Sequence, residues 1–272
     1  MTHAEAPDVV STATPRPSAV PAVTRASAIL TALADAQGAA VSVSELARRL
    51  GLPKSSTANI CLSLEAERMV ARNDDGYVLG RRLAELGGAY LTTFDQVKEF
   101  YRACRLQPNI SRFTARAAVL EGLDVLYVAR YEGSPAIRLT ANIGDRFPAH
   151  ATATGKALLA QTDLTALQER LRNVDRLVAL TDNTITDPAE LMVELNKVRD
   201  AGYAIDAEET TPGATCLAIT IGDAVAAANQ FAISVTLVST QFTEQLRNVL
   251  LAELRAVAAA LQNPMLPGNL QV

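Results

Sequence analysis

The sequence predicts an α+β chain in two parts. A small helical unit ends in a hairpin, and a larger unit holds a mainly antiparallel sheet flanked by helices. Three observations carry this expectation. Between residues 23 and 64, apolar side chains recur at helical spacing in three short segments, each with its own start or stop signal. Directly after them, two short apolar runs flank Asn73-Asp74-Asp75-Gly76, which is a hairpin turn signal. From about residue 95 onward, several strand-like runs are bracketed by long helical segments.

Residues 1–22 are rich in Ala, Pro, Ser and Thr and hold Pro7, Pro15, Pro17 and Pro21. Such a composition cannot bury a core, so a disordered arm is expected. The segment has no apolar stretch of the signal-peptide kind. In the first helix, Ala26, Ile29, Leu30 and Leu33 fall at i, i+3, i+4 and i+7, and Gly38 stops it. The second, "SVSELARRLG", opens on a Ser42–Glu45 capping box and buries Leu46, Ala47 and Leu50. Gly51 then suits the left-handed position past its end. Pro53 is expected in the first turn of the third helix, which turns Thr57, Ile60, Cys61 and Leu64 inward.

Only a few residues around Gly51 separate the second and third helices, which is a helix-turn-helix arrangement. Lys54, Ser55, Ser56, Ala58, Asn59 and Ser63 are left facing outward. One cap would satisfy this helix start, so the surplus of small polar groups points to an outside partner: the phosphates and base edges of double-stranded DNA. Ser55, Ser56, Asn59 and Ser63 are the candidates for base edges, and Arg25, Lys54 and Arg72 for phosphates. The hairpin that follows is then a wing. In "RRLAELGGAYL", Leu83, Leu86, Gly87 and Tyr90 share helical spacing, so a linker helix is expected whose apolar face suits a second subunit.

Charge fits this division. The 272-residue chain carries a net charge of -4, which excludes a general polyanion binder. Residues 23–82 nevertheless hold eight Lys and Arg against six Asp and Glu, so the positive sign lies with the helix-turn-helix. The expected boundaries are a DNA-binding domain at 23–81, a linker helix at 82–94, a second domain at 95–264 and a tail at 265–272.

In the second domain a helix runs to about Ile110. Strands are expected in "ARAAVLEG", "DVLYVARYEG", "AIRLTANIG", "YAIDAEE", "ATCLAITIGD" and "QFAISVTLV", and helices in "ATATGKALLA", "DLTALQERLR", "DPAELMVELNKVRDAG" and Thr243–Leu261. No apolar run reaches the roughly 20 residues of a membrane helix. The cysteines Cys61, Cys104 and Cys216 are odd in number and form no CxxC pair, which fits a reducing cytoplasm better than a disulfide framework.

Catalysis has few parts to work with. Cys216 and His150 form the one thiol–imidazole pair of the large domain, and an enzyme built on them is the rival expectation. His150, Asp206 and Cys216 have metal-ligand chemistry but no diagnostic spacing, so neither a metal nor a catalytic site is assigned. There is no P-loop and no GxGxxG after a strand. In "ATATGKALLA", small residues and a glycine lead into a helix whose start can hold an anion. A further rival is a ligand sensor that acts on a protein partner instead of DNA.

Several stretches in order resemble the IclR family of bacterial transcriptional regulators: "RASAILTAL", "LPKSSTANICLSLEAERMV", "GYVLGRRLAELGGAYL", "IGDRFPAHATATGKALLA" and "GYAIDAEETTPGATCLAITI". The resemblance covers about residues 23 to 262. It implies a winged helix-turn-helix, a linker helix used in dimerisation, a GAF-like or profilin-like effector domain, assembly as a homodimer or homotetramer, and no cofactor. It also implies control of genes for the catabolism of small organic acids or aromatics. Carried onto this chain, the effector pocket comprises Ala153, Thr154 and Gly155 on one side and Asp206, Cys216, Ser234 and Thr236 on the other. Two departures stand out. Ala58 and Asn59 replace basic or larger polar residues of the recognition helix, and Asn59 suits a bidentate contact with adenine. Thr236-Leu237-Val238 replaces a small-residue strand ending, so a more apolar pocket end is expected.

Overall fold

The computed structural model describes residues 19–92, 96–133, 141–222 and 231–262. Residues 1–18 of the expected arm 1–22, and all of the expected tail 265–272, lie outside the described residues; Pro21 and Ala22, expected in the arm, instead open the first helix, where proline suits the first turn. The chain divides into two compact units at Thr93–Phe94.

The first unit holds α1 (Pro21–Asp35), α2 (Val43–Leu50), α3 (Lys54–Ala66), β1 (Val70–Asn73), β2 (Gly76–Leu79) and α4 (Arg82–Thr92). The three inward stripes meet in one core, where Ile29, Leu33, Leu46 and Cys61 are buried with Val70 and Tyr77. Ser42 caps α2, its hydroxyl accepting the N–H of Glu45 at 3.2 Å. The carboxylate of Glu45 does not return that bond; it pairs with Arg48 and Arg49 one turn on. Gly51 takes a left-handed φ of 62°, which lets α2 end and α3 begin three residues later. Pro53 stands one place earlier than expected. It is the N-cap residue of α3, and its carbonyl accepts from the Thr57 N–H at 3.0 Å.

The wing is a two-residue hairpin with Val70 opposite Leu79 and Asn73 opposite Gly76. Asn73 Oδ1 accepts the N–H groups of Asp75 and Gly76, at 3.1 and 3.0 Å, and so fixes the turn. Val41 and Tyr77 exchange both backbone hydrogen bonds, tying the wing to the start of α2. A Cβ on Gly76 would lie 2.5 Å from the Val41 carbonyl oxygen, so this close approach requires glycine.

The second unit is a six-stranded antiparallel sheet in the order β5-β4-β3-β8-β7-β6. Its strands are β3 (Thr114–Glu121), β4 (Asp124–Tyr131), β5 (Arg146–Pro148), β6 (Ala204–Ala207), β7 (Ala214–Ile221) and β8 (Phe231–Val238). One face packs on α5 (Gln96–Leu106) and α9 (Glu244–Leu261), and the other on α6 (Ala153–Gln161). Behind α6 lie α7 (Leu164–Leu171) and α8 (Pro188–Ala201). Glu253 locks α9 to the segment after α5 by accepting the N–H groups of Asn109 and Ile110. Asp187 caps α8, and Gly202 ends it at φ 73°.

The strand expected at 136–144 falls partly on residues 134–140, outside the described ones, and Ala141–Asp145 is a turn. Among the described residues the edge strand is Arg146–Pro148. Asp145 accepts the Asn142 N–H at 2.6 Å, Gly144 has φ +93°, and its N–H reaches the Tyr127 carbonyl. The turn is thereby pinned to β4, and pairing resumes only beyond it. Among the described residues, no helix is long and apolar enough to cross a membrane.

Candidate functional sites

The first site is the outward face of α3. Thr57 and Cys61 are fully buried, and Ile60 and Leu64 are half-buried. Lys54, Ser55, Asn59 and Ser63 are exposed, while Ser56 and Ala58 are half-buried. No side chain caps this helix. Among the described residues nothing accepts from the N–H groups of Lys54, Ser55 and Ser56, so three donors at the positive end of a helix face outward beside a lysine. The Thr57 hydroxyl donates to the Pro53 carbonyl at 3.1 Å, while those of Ser55 and Ser56 do not cap the helix.

Ser56 Oγ accepts from Arg25 Nη1 at 3.4 Å, which ties α1 to α3 and brings together two of the expected DNA contacts. Ser63 Oγ donates to the Asn59 carbonyl at 3.0 Å, so its proton is spent on the helix. The side-chain amide of Asn59 takes part in no hydrogen bond among the described residues and keeps its bidentate capacity. Arg72 is exposed on the wing, its guanidinium 5.9 Å from the centre of the Tyr77 ring.

The second site is the sheet face beneath α6. Residues directly opposite on neighbouring strands share a face, as do residues two apart on one strand. Asp206 is opposite Cys216, Cys216 opposite Thr236, Ala218 opposite Ser234, and Ser234 opposite Arg116. Four expected effector residues therefore share one face with Arg116, which the sequence reading missed. Around them Ala118, Ala204, Ala218 and Ala232 pack with Ala153 and Ala157 of α6, so bulk is kept small.

The polar groups form a connected row. Arg116 Nη1 donates to Thr236 Oγ1 at 2.7 Å, and the Cys216 thiol lies 3.1 Å from the same oxygen. Arg116 Nε donates to the Ala141 carbonyl at 3.3 Å, and the guanidinium lies 5.8 Å from the centre of the Tyr127 ring. The Tyr127 hydroxyl is 3.5 Å from Thr154 Oγ1, which brings the row to the start of α6. Burial pushes the thiol of Cys216 and the hydroxyl of Tyr127 up to about 12, so both are protonated at neutral pH. Arg116 and Tyr127 carry no local motif; register alone joins them to the site.

Two expected site residues have structural roles here. Gly155 gives its N–H to Thr152 Oγ1 at 2.9 Å, so that donor is not open to a ligand. A Cβ on Gly155 would lie 2.2 Å from the Ala149 carbonyl oxygen, and the glycine is needed for that contact. The N–H groups of Ala153 and Thr154 have no acceptor among the described residues. Asp206 is buried and binds its own turn, accepting from the Glu209 N–H at 2.7 Å and the Thr210 hydroxyl at 2.6 Å. Burial raises its carboxyl, opposed chiefly by the Thr210 hydroxyl. Of the two apolar residues at the end of β8, Val238 shares the site face with Thr236, and Leu237 lies on the other face.

Beside this row Lys156, buried in α6, pairs with Glu209 and lies 3.8 Å from Glu194. Burial raises the Glu209 carboxyl to about 7 despite that lysine, and its Oε2 accepts nothing among the described residues. The thiol–imidazole pairing is not formed. His150 Nε2 is 2.9 Å from the Val178 carbonyl, whereas Cys216 meets Thr236. A thiol raised to about 12 is a poor nucleophile. Among the described residues no cluster of three metal-ligating side chains occurs.

A winged helix-turn-helix joined to a separate α+β unit with a buried polar face defines a ligand-responsive, DNA-binding regulator. Residues 22–74 match the IclR helix-turn-helix domain, and residues 109–263 match the bacterial transcriptional regulator IclR C-terminal domain. The transcriptional regulator BhcR of Paracoccus denitrificans is 34% identical over 205 residues, covering 74% of this chain and 72% of BhcR. The IclR structure from Thermotoga maritima superposes with a TM-score of 0.68 at 28% identity, over 89% of this chain and 98% of that one. An IclR homolog from Microbacterium hydrocarbonoxydans, complexed with 4-hydroxybenzoate, has the same fold with a TM-score of 0.74 at 24% identity, over 89% of this chain and 99% of that one. The chain belongs to the IclR family. Its named relatives are transcriptional regulators, and it is a regulator and not an enzyme.

Proposed function

We propose that this regulator binds operator DNA in the cytoplasm as a homodimer or homotetramer and is switched by a small carboxylic acid, aromatic or aliphatic. Residues 23–81 serve as the DNA-binding domain, 82–94 as a linker helix and 95–264 as the effector domain. Ser55, Asn59 and Ser63 face base edges, with Ser56 holding Arg25, and Lys54, Arg25 and Arg72 neutralise phosphates. Leu86, exposed on α4, supplies apolar surface to a second subunit.

The observation that carries the effector reading is the buried polar row. A guanidinium, a thiol and the hydroxyls of Ser234, Thr236, Tyr127 and Thr154 are collected among alanines, with the N–H groups of Ala153 and Thr154 at the end. A carboxylate suits this set, because Arg116 and a helix N-terminus both favour an anion. Cys216, Ser234 and Thr236 orient the rest of the ligand, and Asp206 holds the wall of the site through its turn. A protein of the same fold is complexed with 4-hydroxybenzoate, which is both aromatic and a carboxylate.

The mechanism follows from linkage. An acid that binds one arrangement of the effector domains better than another shifts the equilibrium by that difference alone. Through the linker helices the two recognition helices change their separation, which must match a DNA turn of about 34–36 Å. The test is thermal unfolding of the full chain with a panel of carboxylic acids, 4-hydroxybenzoate included, each beside its neutral amide. Stabilisation by an acid and not by its amide supports the reading; equal stabilisation by both contradicts it.

A further inference from the structure

The exposed face of α3 carries a large apolar side chain that takes no part in the polar contacts proposed for DNA. Leu62 is 53% exposed, and in α3 it is the one large hydrophobic residue in that state. An exposed leucine is ordinary in itself. This one lies on the stripe Ser55, Ala58, Asn59, Leu62, at i, i+3, i+4 and i+7. Reading helices of the homeodomain kind present base-contacting residues at that same spacing. The neighbouring Ser63 spends its proton on the Asn59 carbonyl, so the polar content of this end of the helix is reduced.

In the major groove the apolar feature of a base pair is the thymine C5-methyl. Leu62 stands three residues beyond Asn59, a rise of about 4.5 Å along the helix. That is close to the spacing of about 3.4 Å between successive bases on a strand. We infer that Leu62 is a specificity residue whose side chain packs on the methyl of a thymine within one or two base pairs of the adenine contacted by Asn59. The inference rests on the DNA-reading role proposed for α3.

The experiment uses the full chain and the duplex it enriches from random DNA. Each thymine of that duplex is replaced in turn by deoxyuridine, which removes only the methyl, and binding is followed by fluorescence anisotropy. For the wild type, one replacement weakens binding roughly fourfold, the worth of about one buried methyl. Leu62→Ala binds the thymine duplex more weakly and is indifferent to deoxyuridine at that position. Alanine is a good helix former, so α3 persists in this variant. Identical deoxyuridine profiles for the two proteins would overturn the role of Leu62 alone. Failure to enrich any sequence over unrelated DNA would overturn the DNA-reading role of α3 and this inference with it.

Discussion

Replacing Arg116 by glutamine removes a guanidinium from the buried polar row and leaves a shorter, neutral amide that stops near the position of Nε, short of Thr236. Among its bonds, Arg116 gives 2.7 Å and 3.3 Å hydrogen bonds to Thr236 Oγ1 and the Ala141 carbonyl. Losing these costs about 1–3 kcal/mol, while removing a buried charge returns part of its desolvation cost. Effector binding responds differently. Truncating one partner of a buried charge pair costs about 2–5 kcal/mol, so Kd for the acid rises about thirtyfold or more. Isothermal titration of wild type and Arg116→Gln, with the acid and with its amide, reads this directly, and urea unfolding checks the fold. An unchanged Kd for the acid in Arg116→Gln would refute the anchoring role.

Further expectations follow from other residues. Asn59→Ala changes preference at one base position by about 1–3 kcal/mol, whereas Lys54→Ala weakens binding to all sequences alike; competition titrations with single-base operator variants separate the two. Gly155→Ala destabilises the effector domain by roughly 1–3 kcal/mol, because its Cβ would overlap the Ala149 backbone, and urea unfolding tests this. Glu209 keeps its proton up to about pH 7 in the folded chain but loses it near 4.5 when unfolded. The folded state then holds more protons between these values, so stability falls as pH rises from about 4.5 to about 7. Glu209→Gln should flatten that decline, and an unchanged pH profile in the variant would contradict the assignment.

Much of the first unit was legible because its signals are local. The stripes of α1 to α3, the Ser42 cap, Gly51 and the Asn73–Gly76 turn each lie within a few residues of sequence. Two details differed: Glu45 turns to Arg48 and Arg49 instead of completing the capping box, and Pro53 stands one place earlier, where a proline at the cap supplies no capping side chain and leaves three N–H donors open. The second unit was legible as a set of strands and helices but not as a sheet. Strand order and register decide which residues share a face, and register depends on partners far along the chain. Arg116 and Tyr127 joined the site only through β3 and β4. The short edge strand Arg146–Pro148 was missed because three residues carry no alternation to detect. Gly155 was recognised as important, yet for a donor role; its close approach to Ala149 is visible only in three dimensions.

In the proposed switch, binding of an acid is coupled to binding of DNA. The most direct test is anisotropy of the full chain on its selected operator and on unrelated DNA, across a range of salt, with and without a carboxylic acid that stabilises the protein. Operator-specific binding that weakens steeply with salt is expected, with an affinity that the acid changes but its amide does not. Equal affinity for unrelated DNA, or an operator affinity untouched by a bound acid, would contradict it.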